Sequence, residues 1–178
     1  FYFNYKMRCR QNWSLQCEQA LNAQINREYC ASLSYHMLST YFDRDDVGLN
    51  NLRDYFAKAS LEEREHADKL MSYQNMRGGV VCLDVVAAKP FQVSTEERNT
   101  DIHSAFVFAL GLEKSINEHL LELHKVADEN NDPQFADYLE GEFLKEQVSA
   151  ISEISKIISV LNRFNGDQHA IWNYVQTL

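Results

Sequence analysis

Proline and glycine are scarce, with only Pro90, Pro133 and six glycines in 178 residues. That scarcity excludes a collagen-like, disordered or loop-rich chain and favours long helices. Basic residues are also in short supply, 17 Lys and Arg against 26 Asp and Glu, for a formal net charge of -9. A nucleic-acid partner needs a basic face, so it is excluded, and cations become the expected guests. No uncharged apolar run approaches the ~20 residues that a membrane span requires. The sequence opens at Phe1 with neither a signal-peptide pattern nor an initiator Met, so the expectation is a soluble chain that has already been processed. There is no internal repeat and no low-complexity tract. What remains is 45% apolar and 24% charged, of a length that reads as one domain spanning 1–178.

Apolar residues recur at helical spacing in four long segments. Ser14 is an N-cap candidate for a first helix over about 14–41, in which Leu21, Ile25, Glu28, Ser32, Tyr35 and Phe42 share one stripe. A turn, FDRDDVG, leads into a second helix over about 49–77 with Leu49, Leu52, Phe56, Ala59, Glu63, His66, Leu70 and Tyr73 on its seam. Gly78 and Gly79 end it, and the segment 78–98 lacks helical period. A third helix, about 99–129, aligns Ile102, Phe106, Ala109, Glu113, Ile116, Leu120, Leu123 and Ala127. After the turn NNDP a fourth, about 133–163, aligns Glu140, Phe143, Gln147, Ala150, Ile154, Ile157, Leu161 and Phe164. Asn165-Gly166 breaks the pattern before a short last helix over about 168–176. Four helices of about 45 Å each, joined in pairs by short turns, predict an all-α four-helix bundle. Its one long connection must be a crossover, since about 20 extended residues can span a helix length and set the second and third helices parallel.

Polar residues interrupt each stripe near its midpoint: Glu28, Glu63 with His66, Glu113, and Gln147. A residue at a helix midpoint keeps its height whichever way the helix runs, so these side chains should meet in one layer. Three carboxylates buried together repel one another and lose hydration unless protons or metal ions neutralise them. Hard oxygen ligands with an imidazole on four facing helices are the donor set of a di-iron carboxylate site, and Glu63-Arg64-Glu65-His66 supplies its Glu-x-x-His element.

The runs YFDRDDV (41 to 47), EEREHADKLM (62 to 71), QNMRGG (74 to 79), LLELHKVAD (120 to 128), NDP (131 to 133) and EQV (146 to 148) carry a resemblance that extends over nearly the whole chain. Together they resemble animal ferritins of the heavy, ferroxidase-active type. The resemblance implies a ferritin-like four-helix bundle that assembles into a shell of 24 copies, alone or mixed with a second subunit type. It also implies Fe(II) and dioxygen as substrates, ferric mineral as cargo, iron as the one cofactor and no organic cofactor. By position it implies Glu28, Glu63 and His66 as ligands of a first iron, with Glu63 bridging to a second iron completed by Glu113. Gln147 resembles the residue that holds water or oxygen species there. Tyr35 resembles the tyrosine beside the centre, as a redox group or as an ordinary core tyrosine. Glu62 and Glu65 match auxiliary iron-handling carboxylates, or else a solvated acidic face. Asp137, Glu140 and His124 match a threefold pore, where repeated carboxylates concentrate negative potential; singly, the acids also suit a helix start.

Location is read from the N-terminal region. Cys9 could fold back on Cys17, and Asn12-Trp13-Ser14 is a glycosylation sequon. Both suit a secreted, invertebrate-like form, whereas four free thiols suit the cytosol nearly as well. Two other functions compete. A purely mineral-nucleating subunit would lack the buried ligands, and a long-chain helical signalling protein would have an apolar mid-bundle layer and two crossovers.

Overall fold

The computed structural model describes residues 8–94 and 101–178. Among these residues every regular element is helical: α1 (Leu15–Phe42), α2 (Asn50–Met76), α3 (Asp101–Glu129), α4 (Pro133–Leu139), a π-helical turn (Glu140–Leu144), α5 (Lys145–Phe164) and α6 (Gln168–Val175). Ser14 caps α1, its hydroxyl accepting from the Cys17 amide at 3.0 Å. The residues 99 and 100 expected to open the third helix lie outside the described residues. No described helix is long and apolar enough to cross a membrane.

Antiparallel pairing of α1 with α2 brings Ser32 against Ser60, each hydroxyl donating to the other's carbonyl at 2.7 and 2.8 Å. α3 also runs antiparallel to α1, since Cys17 approaches Val126 while Tyr35 reaches Glu113. α2 and α3 therefore lie parallel, and the segment between them travels the length of the bundle. It does so on a ladder that α1 provides. Asn22 bonds Val80 and Cys82, Asn26 bonds Asp84 and Val85, Cys30 accepts from Ala87, and Ser34 accepts from Lys89. Four helical residues rise about 6.0 Å and two extended residues about 6.6 Å, so a polar stripe of period four stays in step with the extended segment beside it.

The fourth long helix departs from the continuous 133–163 expectation. Its buried residues Phe135, Leu139, Phe143 and Gln147 are spaced by four, and each such step over-rotates an α-helix by roughly 40°. The π turn absorbs the excess by inserting a residue into the hydrogen-bond register. Consequently Leu139 faces the core, and Glu140, expected on the seam, is 62% exposed.

Aromatic and aliphatic side chains form two clusters. Trp13, Leu21, Ile25, Leu70, Tyr73, Leu120 and Phe135 belong to one; Tyr35, Phe42, Phe56, Phe106, Ile154 and Ile171 belong to the other. Asp132 and Arg77 clamp the first end, their side chains 1% and 12% exposed and 2.5 Å apart. The Arg77 guanidinium also lies over the Trp13 ring at 4.6 Å. Between the two clusters lies the polar layer.

Candidate metal centre

Glu28 on α1 and Glu63 and His66 on α2 each offer a ligand atom, and these atoms lie within 4.8 Å of one another. Glu28 is fully buried and Glu63 is 5% exposed. The three-residue step from Glu63 to His66 puts both on one face of α2, which gives an Nδ1 to Oε2 separation of 3.3 Å. Gln24, one turn before Glu28, donates from Nε2 to Glu28 Oε1 at 2.6 Å. Glu28 Oε2 is buried without a hydrogen-bond partner. An unpartnered carboxylate oxygen is costly in an apolar interior, and a cation placed among these three donors relieves that cost.

Glu113 is not part of that group; it heads a second one. The Tyr35 hydroxyl donates to Glu113 Oε1, while Gln147 Nε2 donates to Glu113 Oε2 at 2.6 Å and to the Glu113 carbonyl at 3.0 Å. Gln147 is thus engaged with Glu113 itself. Each Glu113 oxygen already holds one donor, which leaves this carboxylate less free for a cation than Glu28.

Electrostatics join the two groups. Burial, followed by the Glu63 charge, pushes Glu28 well above the usual carboxylate range. Glu63 is raised to about 8 by burial and then by Glu113. Burial raises Glu113 despite the opposing bonds from Tyr35 and Gln147. Tyr35 is driven well above an ordinary phenol by burial and then by Glu113 and Glu63. Without a cation the layer therefore retains protons; with one, the carboxylates can ionise.

Glu146 was not anticipated. Its Oε2 lies 3.3 Å from His66 Nε2 although half its side chain is exposed. Its position beside Gln147 was the available signal, but an exposed acid one residue off the seam looks solvated. Glu62 and Glu65 sit on the exposed side of α2, Glu62 paired with Lys58 at 3.4 Å. Asp137 is exposed on α4. His124 Nε2 meets Glu140 at 2.7 Å, and its Nδ1 meets Asp128 at 3.3 Å.

Residues 18–164 match the family model described as a ferritin-like domain. The chain belongs to the ferritin family. Its ferritin relatives include the chloroplastic ferritin of Malus baccata var. xiaojinensis, 49% identical over 95% of this chain and 67% of that protein. Another is the chloroplastic ferritin of Phaseolus vulgaris, 48% identical over 95% of this chain and 66% of that protein. Chloroplastic ferritin-1 of Nicotiana tabacum is 48% identical over 96% of this chain and 67% of that protein. The chain spans about two thirds of the length of these curated relatives.

These plant ferritins correct two expectations. The resemblance to animal heavy-type or secreted invertebrate ferritins gives way to membership of the wider family with plant chloroplastic relatives. The expected secreted or cytoplasmic location is overturned by the same relatives. Cys9 is exposed, Cys17 is buried, and all four cysteines are free. The Asn12 amide donates to the Asn131 carbonyl at 3.2 Å.

Proposed function

We propose that this ferritin oxidises Fe(II) with dioxygen at the Glu28–Glu63–His66 group and passes the ferric product into a shell of 24 copies for storage as oxyhydroxide mineral. The observation that carries the reading is the convergence of two buried carboxylates and a partly buried imidazole beside an unpartnered Glu28 oxygen. Two carboxylates and an imidazole suit Fe(II) and favour Fe(III) more strongly, so binding itself assists electron loss. A second Fe(II) is held between Glu63 and Glu113. Each pair of Fe(II) ions supplies two electrons, which with two protons convert one dioxygen to hydrogen peroxide.

The residues divide the work. Glu28 and His66 bind the first iron, Glu63 is shared, and Glu113 serves the second. Gln147 and Tyr35 hold Glu113 in its orientation, a role supported by their bonds to its two oxygens. Glu146, beside His66, is a further carboxylate through which iron can pass. Exposed Glu62 and Glu65 lie on α2 where they can nucleate mineral. Asp137, Glu140 and His124 line the route by which cations reach the interior. On the names of its relatives we assign the protein to plastids.

Size-exclusion chromatography combined with stopped-flow Fe(II) oxidation tests this function. A shell-sized particle should oxidise Fe(II) faster than buffer and retain the iron. A monomer with no iron uptake overturns the proposal.

A further inference from the structure

Gln24 was absent from the polar set read along the stripes, yet it donates a hydrogen bond to Glu28, a ligand of the first iron. It lies four residues before Glu28 on α1, and both side chains are fully buried. Its Nε2 donates to Glu28 Oε1 at 2.6 Å. The two oxygens of Glu28 are consequently inequivalent: Oε1 is engaged, and Oε2 has no partner. Gln24 Oε1 is also buried and without a partner.

We propose that Gln24 is a positioning residue that makes Glu28 bind metal through Oε2 alone. A carboxylate with both oxygens free can chelate one cation with both. Here the second oxygen already receives an N–H, and the helix fixes the donor one turn away. Single-oxygen binding keeps a coordination position open for substrate and prevents Glu28 from closing around the ferric product. The unpartnered Gln24 Oε1 provides an acceptor for a donor that arrives with the metal, such as a water in its coordination shell. This inference rests on the proposed iron site and assigns how one of its ligands is held.

Gln24→Leu removes both the donor and the acceptor, and Gln24→Met does so while preserving an unbranched side chain. Whichever variant assembles by size-exclusion chromatography is titrated anaerobically with Co(II), using calorimetry for affinity and visible absorption for coordination. Wild type should bind Co(II) at the group containing His66, and Glu63→Ala with His66→Gly should abolish that binding. The Gln24 variants should bind at the same group about tenfold or more weakly, with altered d–d band intensity as the coordination number changes. Apparent KM for Fe(II) should rise with the loss of affinity. Wild-type affinity and an unchanged Co(II) spectrum in an assembled Gln24 variant would overturn the positioning role while leaving the site intact. Binding in wild type that survives the Glu63→Ala and His66→Gly substitutions would overturn the site and this inference together.

Discussion

Combining Glu63→Ala with His66→Gly should separate metal binding from folding. The first substitution removes one buried methylene, worth about 0.8 kcal/mol, along with the carboxylate. The second places glycine inside α2 at a cost of about 1 kcal/mol. Against this stands the burial of Glu63, 5% exposed and facing the charge of Glu113. Keeping that carboxyl group buried costs a few kcal/mol whether it ionises or holds a proton, and the His66 Nδ1 contact at 3.3 Å offsets only part of this. The two sides nearly cancel, so the metal-free variant should unfold within a few degrees of wild type. Metal separates them. At one hundred times Kd, a cation bound only to the native state adds about 2.7 kcal/mol, and a domain of this size gains roughly 2–4 °C per kcal/mol. Anaerobic calorimetry with Co(II) should therefore raise the wild-type transition by about 5–11 °C and leave that of the double variant unmoved. Stopped-flow absorbance with dioxygen uptake should show the rapid phase of Fe(II) oxidation abolished. An unchanged initial rate would place the chemistry elsewhere, and a metal-free variant that unfolds more than about 10 °C below wild type would refute the energetic balance.

Four further outcomes rest on the same geometry. Asp132→Ala removes the buried carboxylate that pairs with partly buried Arg77 and caps the Phe135 amide at 3.1 Å; it should lower stability by about 3 kcal/mol, whereas Asp132→Asn retains a capping oxygen and should lose less in denaturant unfolding. Replacing Asp137 and Glu140 with their amides should slow Fe(II) oxidation at limiting iron, and raising ionic strength should slow the wild type; matching rates in variant and wild type would exclude this route. Gln147→Glu with Ala150→His should rebuild a symmetric ligand set, retain iron after oxidation and slow repeated turnover. In wild-type crystals soaked with Fe(II), the position beside Glu63 and Glu113 should have lower occupancy than that beside Glu28 and His66, and equal, persistent occupancy after complete oxidation would rule out product transit.

The helical stripes were legible because burial imposes a period of 3.6 on any helix packed against a core. Leu21, Ile25, Glu28, Tyr35 and Phe42 are all buried on α1 as their spacing demands. The acidic layer was legible for a related reason: a carboxylate within an apolar stripe has no solvent to face, so Glu28, Glu63 and Glu113 had to answer one another or a cation. Other features depend on partners that a single stripe does not reveal. Gln24 lies three residues after Leu21 and four before Glu28, so its burial could have been read, but its bond to Oε1 required coordinates. Glu146 reaches His66 from a half-exposed position, which no burial pattern signals. Glu140 was assigned to the seam because a uniform helical period was carried through residues that adopt a π turn.

By itself the sequence determined an all-helical bundle, the height of its polar layer and the ligand types available there, since all three follow from residue spacing and the cost of buried charge. The tertiary structure decided which oxygen of each carboxylate is occupied. Glu28 retains a free Oε2, while both oxygens of Glu113 accept hydrogen bonds from Tyr35 and Gln147. That difference arises between side chains brought together from α1, α3 and α5, where hydrogen-bond direction is set by packing across the bundle and leaves no periodic trace along the chain.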